Sequence, residues 1–201
     1  MMMAQRLIGV CWILFIAYWF INAWSTKKTA EPASVAALLW YRVLCIIGVL
    51  LFLVPARWSG LDALVVPHSL VTDLNALVVP HSLVTEGIAV CVCILGLLGA
   101  IWARRTLAGN WSSEVVFKEN HELVECGPYR WVRHPIYTSI LLMVLGSVLA
   151  AGHIASFVGL LFMVSGLWIK LRQEEALMLR HFPAQYAAYR SRVKALIPFV
   201  L

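Results

Sequence analysis

Apolar residues along this chain come in runs too long for the face of a soluble helix. The first, Leu7–Trp24, closes on Ser25, Thr26, Lys27 and Lys28. A secretory leader has an apolar stretch of only about 7–15 residues that ends at small side chains. This run is longer and ends in a tryptophan and lysines, which predicts a retained helix. The second, Ser34–Val54, is stopped by Pro55 and Arg57 and has the roughly 20 residues a bilayer requires. The third ends at Trp102, ahead of Arg104 and Arg105, and begins between Ala76 and Gly87. Two shorter runs follow, Ile136–Ala151 and Ile154–Ile169, joined through Gly152 and His153. So tight a joint predicts a helical hairpin. The expected fold is an all-α integral membrane protein of about five transmembrane helices.

Composition agrees. The chain of 201 residues is 62% hydrophobic and 13% charged, with mean hydropathy +0.84, where soluble domains are about 45–50% apolar and about 25% charged. That excludes a soluble enzyme, a disordered chain and a nucleic-acid-binding domain, despite the net charge of +6. The length suits a single unit over 1–201, divided into three N-terminal spans (1–102) and a more polar remainder (103–201).

Cations gather on one side of the expected spans: Lys27 and Lys28, then Arg104 through Arg133, then Lys170 through Lys194. Arg6 and Arg57 lie on the other side, and Arg42 lies inside the second span, within snorkelling reach of the cationic side. The positive-inside rule then places the N-terminus outside and the C-terminus in the cytoplasm. In the second external loop, Ala63–Thr72 returns letter for letter as Ala76–Thr85. A local tandem duplication explains it, so His68 and His81 are copies of one histidine, not a metal pair. Of the five cysteines, Cys11, Cys45, Cys91 and Cys93 lie in apolar runs and are expected as buried thiols. Cys126 is expected to pack beneath the polar segment around it. No metal site is expected.

Residues able to do chemistry concentrate in two cytoplasmic segments flanking the hairpin, Leu107–Tyr137 and Lys170–Pro198. In the first, Gly127-Pro128 reads as a turn, followed by Tyr129, Arg130, Arg133, His134, Pro135 and Tyr137. Pro135 suits a first helical position, which would set His134 at a helix N-terminus, a place suited to polar or anionic groups. The second segment reads as a helix leaving the membrane, bent near Phe182-Pro183. It carries Glu174 and Glu175 within a turn of the bilayer edge, where a carboxylate is costly unless paired. Salt bridging and ligand binding are both open to them. Phe182, Tyr186 and Tyr189 are spaced as a packing face. On physical grounds this is a ligand-binding constellation, with a basic cluster for anionic lipids as the competing reading.

The pattern G-P-Y-R-x-x-R-H-P-x-Y over Gly127–Tyr137, preceded by His121-x-Leu123-Val124, resembles the signature of the isoprenylcysteine carboxyl methyltransferase family. The later run from Glu174-Glu175 through Phe182, Tyr186 and Tyr189 resembles the same family's C-terminal motif, with Met178 where leucine is common. LAGNWS over Leu107–Ser112 is similar to the stretch preceding the motif in compact prokaryotic members. The resemblance covers roughly residues 102–201. It implies a membrane methyltransferase that uses S-adenosyl-L-methionine, held in a cytoplasmic C-terminal cap, with a lipophilic substrate, possibly a prenylated cysteine, entering from the lipid. It further implies that His121, Leu123, Val124, Tyr129, His134, Pro135, Tyr137 and Glu174 bind the cofactor, with Lys118 and Glu122 at the rim.

Two positions depart from the family pattern. Ser139 stands where many members have glycine. Lys170 stands where eukaryotic members carry an arginine toward the substrate carboxylate; lysine keeps the charge but lacks the bidentate fork. A carboxylate acceptor is already ionised at neutral pH and needs a cation, not a base, and Lys170 and Arg133 are the candidates, then Arg172. An amine or thiol acceptor would instead need a base such as Glu175 or His134. The alternatives are therefore a methyltransferase for a phospholipid amine or lipophilic thiol, a non-catalytic membrane binding protein and, with least weight, a reductase. The expected partners are membrane lipids and the lipophilic substrate, with no nucleic acid and no obligate protein partner.

Overall fold

The computed structural model describes residues 2–22, 29–31, 35–53, 73–111, 117–118 and 123–200. The apolar runs fold as α1 (Met2–Ile21), α2 (Val35–Leu53), α3 (Leu83–Leu107), α4 (Pro135–Ala151) and α5 (Ile154–His181), followed by the short α6 (Pro183–Arg192). By length and composition α1, α3 and α5 can cross a membrane, whereas Leu39–Phe52 within α2 and all of α4 count as shorter apolar helices. The length criterion thus supports three crossings where the hydropathy pattern suggests about five. The small departures from helix include an antiparallel pairing of β1 (Thr29–Glu31) with β2 (Phe117–Lys118).

Local chemistry sets the helix ends. The Ser82 hydroxyl accepts from the Thr85 amide at 3.1 Å, and the Thr85 hydroxyl accepts from the Ser82 amide at 2.9 Å, a reciprocal cap that starts α3. Both residues belong to the second copy of the duplicated segment. Helix α3 runs past Trp102 to Leu107 because Arg104 closes its far end. The Arg104 guanidinium donates to the Ala108 carbonyl at 2.6 Å and to the Asn22 carbonyl at 2.8 Å, and lies 4.6 Å from the centroid of the Trp111 ring. Pro135 opens α4, where its missing N–H costs nothing. Gly152, at φ 73°, ends α4 in the left-handed conformation that glycine adopts without a steric penalty. The fifth apolar run does not stop at Ile169: its helix continues through the polar stretch to His181 and breaks before Pro183.

The two arms of the α4–α5 hairpin pack less on each other than on other helices, α4 on α3 and α5 on α2. Small residues permit this closeness. A Cβ built on Gly48 would lie 2.7 Å from the Gly159 carbonyl oxygen, and one on Gly159 would lie 2.6 Å from that of Gly48. Gly159→Val is therefore expected to force α2 from α5 and cost about 1–3 kcal/mol, by analogy with overpacked cores. A thermal melt in detergent with an unchanged midpoint would reject this.

The helices alternate in direction, so the polar connections meet at one end. There β1 pairs with β2, Arg104 reaches Asn22, and Val132 bridges to Lys194. At the other end the second repeat copy clasps the hairpin joint. The Val78 amide donates to the Gly152 carbonyl at 2.7 Å, the Ile154 amide donates to Ala76 at 3.1 Å, and His153 Nδ1 lies 2.9 Å from the Asn75 carbonyl. The first copy, residues 63–72, lies outside the described residues.

Cys11 and Cys93 are buried together as expected, and Cys45 is half-buried. Cys91 corrects the expectation: two residues from Cys93, it sits about 200° around the helix and faces outward. Cys126 is also exposed instead of packed, because it precedes the turn and only Pro128 and Tyr129 of that turn are buried.

Candidate active site

The polar end is organised by the segment between α3 and α4. Gly127 adopts φ 57° and starts a single 3-10 turn over Gly127–Arg130. This buries Tyr129 against Ala103, Leu171 and Leu196, with Val124 packed alongside. From α6, Tyr186 and Tyr189 turn inward as their spacing predicts, and the Tyr189 hydroxyl donates to the Tyr129 carbonyl at 2.6 Å. Burial pushes the hydroxyls of Tyr129, Tyr186 and Tyr189 above the usual tyrosine range. They remain neutral hydrogen-bonding groups at any physiological pH.

Glu175 is buried beneath this layer. Arg133 grips one of its oxygens, with Nε at 2.8 Å and Nη2 at 2.6 Å, and Arg190 Nε approaches the other at 3.5 Å. The same Arg133 donates to the carbonyls of Val193 and Arg190, tying the chain beyond α6 to the head of α4. Backbone bonds complete the tie: the Arg133 amide donates to Lys194 at 2.8 Å and the His134 amide to Ala195 at 3.0 Å. Arg133 is thus fully engaged within the protein, and of the two expected carboxylate-binding cations it is the less available.

Glu174, one residue earlier, turns the other way. It is partly accessible, and it accepts a hydrogen bond from the Tyr137 hydroxyl at 2.5 Å. Lys170 Nζ lies 4.0 Å from the same oxygen, one helical turn back, and 5.4 Å from the ring centroids of both Tyr137 and Tyr41. His134 stacks on Tyr137 with rings 2° from parallel and centroids 5.4 Å apart. It stands between the two glutamates, Nδ1 at 3.7 Å from Glu174 and Nε2 at 3.4 Å from Glu175, and the buried Nε2 makes no hydrogen bond. The local fold explains the convergence. Pro135 places His134 at the helix N-cap and Tyr137 in the first turn, while Lys170 and Glu174 share one face of α5.

The structure therefore brings together His134, Tyr137, Lys170 and Glu174, with Tyr129 and Pro135 buried close by. Leu123 and Val124 are half-buried on the approach to the turn, whereas His121 and Glu122 lie outside the described residues. Arg172 is exposed on α5. Ser139 packs against α3, where Gly96 and Gly99 leave it room, so its departure from glycine falls on a helix contact. Tyr41 is the residue that sequence reasoning misses: one of three aromatics in a long apolar run, it carries no signal that α2 packs on α5 beside Lys170.

The sequence profile of the isoprenylcysteine carboxyl methyltransferase (ICMT) family matches residues 88–180, from α3 through Lys170 and both glutamates. This stretch of the chain is similar to the ICMT family. The chain is 31% identical to the protein-S-isoprenylcysteine O-methyltransferase of Saccharomyces cerevisiae over 114 residues, covering 54% of this chain and 48% of that one. It is also 31% identical to the protein of the same name from Tribolium castaneum over 125 residues, 57% of this chain and 42% of that one. A Bacillus subtilis protein, YpbQ, is 27% identical over 77 residues, 38% of this chain and 45% of that one. The matches thus span less than half the length of these relatives. A solved structure of a eukaryotic intramembrane Ras methyltransferase, ICMT, superposes with TM-score 0.54 at 22% identity, over 80% of this chain and 52% of that one. The fold is shared.

Proposed function

We propose that this protein is a multi-pass membrane methyltransferase that uses S-adenosyl-L-methionine to methylate a lipophilic acceptor, with the carboxylate of an isoprenylcysteine-type molecule as the favoured substrate. In this reading residues 1–201 form one unit, α2 and α4 also lie within the bilayer, and the polar end is a cytoplasmic cap. The observation that carries the reading is the cluster of His134, Tyr137, Lys170 and Glu174 within the stretch similar to the ICMT family.

The donor set fits the cofactor. Glu174 is a partly accessible carboxylate able to accept from ribose hydroxyls or an amine, and His134 stands beside it with Nδ1 at 3.7 Å. His121, Leu123, Val124, Tyr129 and Tyr137 would line the same pocket, and Pro135 would shape its turn. When bound, the cofactor supplies a methyl group activated by a sulfonium. The chain's task is then to hold the acceptor in line and exclude water. Lys170 would orient the acceptor's carboxylate, with the Tyr41 and Tyr137 rings limiting where its ammonium can go.

Carboxylate is favoured over amine or thiol because it needs no base, and among the described residues the glutamates here are already committed. Glu175 is saturated by Arg133 and approached by Arg190, and Glu174 already accepts from Tyr137. The test is methyl transfer from a labelled donor to a small S-farnesylated cysteine bearing a free carboxylate. Label released as methanol by mild base marks an ester. Base-stable label would mark an amine or thioether, and no transfer by folded protein that binds S-adenosylhomocysteine would reject this acceptor class. Lys170→Met should lower kcat/KM for this acceptor by roughly 10- to 100-fold, the scale of one charge-assisted hydrogen bond, and leave S-adenosylhomocysteine binding intact. Lys170→Arg should preserve the activity.

A further inference from the structure

A second cluster of cations lies away from the pocket just described. Arg130, Trp131, Arg192, Lys194 and Phe199 line an open cleft of about 450 Å³. Arg192 meets the Glu125 carboxylate at 2.9 Å, so the cleft's lining carries a surplus of positive charge. Its position relative to the apolar helices is well defined. The segment 194–196 is bonded alongside 132–138, through Arg133 to Lys194, His134 to Ala195, and the Thr138 hydroxyl to the Leu196 carbonyl at 2.7 Å. The cleft therefore opens beside the first turn of α4.

Its apolar surroundings are equally unusual for a polar cap. Trp131, Ile197, Phe199 and Val200 belong to no membrane-length helix, yet they are 58%, 50%, 84% and 71% exposed. Phe199 also holds φ at 65°, a region that a bulky side chain enters at a steric cost. Exposed aromatic and aliphatic side chains interleaved with arginine and lysine, next to the start of an apolar helix, are the composition of a membrane–water boundary. There the rings lie among acyl chains and the cations meet headgroups.

We propose that this cleft binds the headgroup of an anionic phospholipid in the leaflet next to the cap, with Arg130 and Lys194 on the phosphate and Trp131 and Phe199 seated at the interface. Surplus positive charge favours an anionic over a zwitterionic headgroup, and each such cation near a membrane surface contributes on the scale of a several-fold change in affinity. The site is separate from the His134–Glu174 pocket and does not depend on the reaction proposed for it.

The test uses the full chain in detergent, titrated calorimetrically with dioctanoyl phosphatidylglycerol or dioctanoyl phosphatidylcholine. Phosphatidylglycerol should bind about tenfold or more tightly than phosphatidylcholine. The double variant R130A/K194A should lose roughly 10- to 30-fold in phosphatidylglycerol affinity, while R130K/K194R should retain it. A thermal melt of the same samples in detergent reports that the variants are folded. Equal affinity for the two lipids, or an alanine variant that binds like wild type, would overturn the proposal. So would inorganic phosphate binding as tightly as the lipid, which would mark a free-phosphate site. A polyglutamate peptide that binds where phosphatidylglycerol does not would reassign the cleft to an acidic polypeptide.

Discussion

Replacing Glu175 with alanine will destabilise the protein by about 3–5 kcal/mol, the cost of stranding one member of a buried ion pair. The Glu175 side chain is 4% exposed and that of Arg133 8%, so water is not on hand to replace the lost partner. The consequence is wider than one salt bridge, because Arg133 also donates to the carbonyls of Val193 and Arg190. Its position holds α6 and the following strand-like segment against the head of α4. The Glu175→Ala protein should melt well below wild type in detergent, with amide exchange accelerated first over residues 183–196. Glu175→Gln, which keeps the shape and one acceptor, should lose less. The double variant that also replaces Arg133 with methionine should recover part of the loss, since an apolar pair leaves no buried charge unpaired. A Glu175→Ala protein with the wild-type melting temperature would show that the cap is held by its tyrosine packing instead.

What was legible in the sequence, and what was not, follows from the range of the interactions. Features written in neighbouring residues came through. The apolar runs became helices, Pro135 opened α4, Gly152 and His153 closed the hairpin, and Tyr186 and Tyr189 turned inward. The motif residues His134, Tyr137 and Glu174 meet because a helix start and a helix face place them locally and one hairpin joins them. Interactions between distant segments were not legible. That α2 lies on α5 depends on Gly48 meeting Gly159, and neither glycine differs in sequence from others in the apolar runs. The same pairing delivers Tyr41 to Lys170. Arg133 and Lys170 looked equivalent as cations beside a membrane, and only the positions of Glu175 and the Val193 carbonyl separate them. The clasp of the second repeat copy on the hairpin joint was equally hidden, since backbone bonds to Gly152 and Ala76 leave no trace in side-chain type.

Glu174→Ala should have the opposite signature to its neighbour: a melting temperature close to wild type and S-adenosylhomocysteine binding weakened by roughly 10- to 150-fold. That range corresponds to about 1.5–3 kcal/mol for hydrogen bonds to a charged group. Tyr137 and Lys170 meet the same oxygen of the Glu174 carboxylate, at 2.5 Å and 4.0 Å, and 23% of the side chain remains accessible. Its loss takes a carboxylate at 4.0 Å from Lys170, whose side chain is 11% exposed and keeps the two tyrosine rings at 5.4 Å, so the cost in stability should be smaller than at Glu175, where the ion pair is direct. Tyr137→Phe should weaken binding less, since the carboxylate would remain but lose its orientation. His134→Ala should weaken binding while sparing the Arg133–Glu175 pair. The contrast between the adjacent glutamates is the informative quantity. Both are acidic, both sit at the polar end of α5, and they differ in which way the helix turns them. Should Glu174→Ala bind S-adenosylhomocysteine as well as wild type does, the pocket assigned to this cluster would be wrong even if the family relationship stands. Should it melt early instead, Glu174 would be a second support of the cap, and the accessible carboxylate would have to be explained without a ligand.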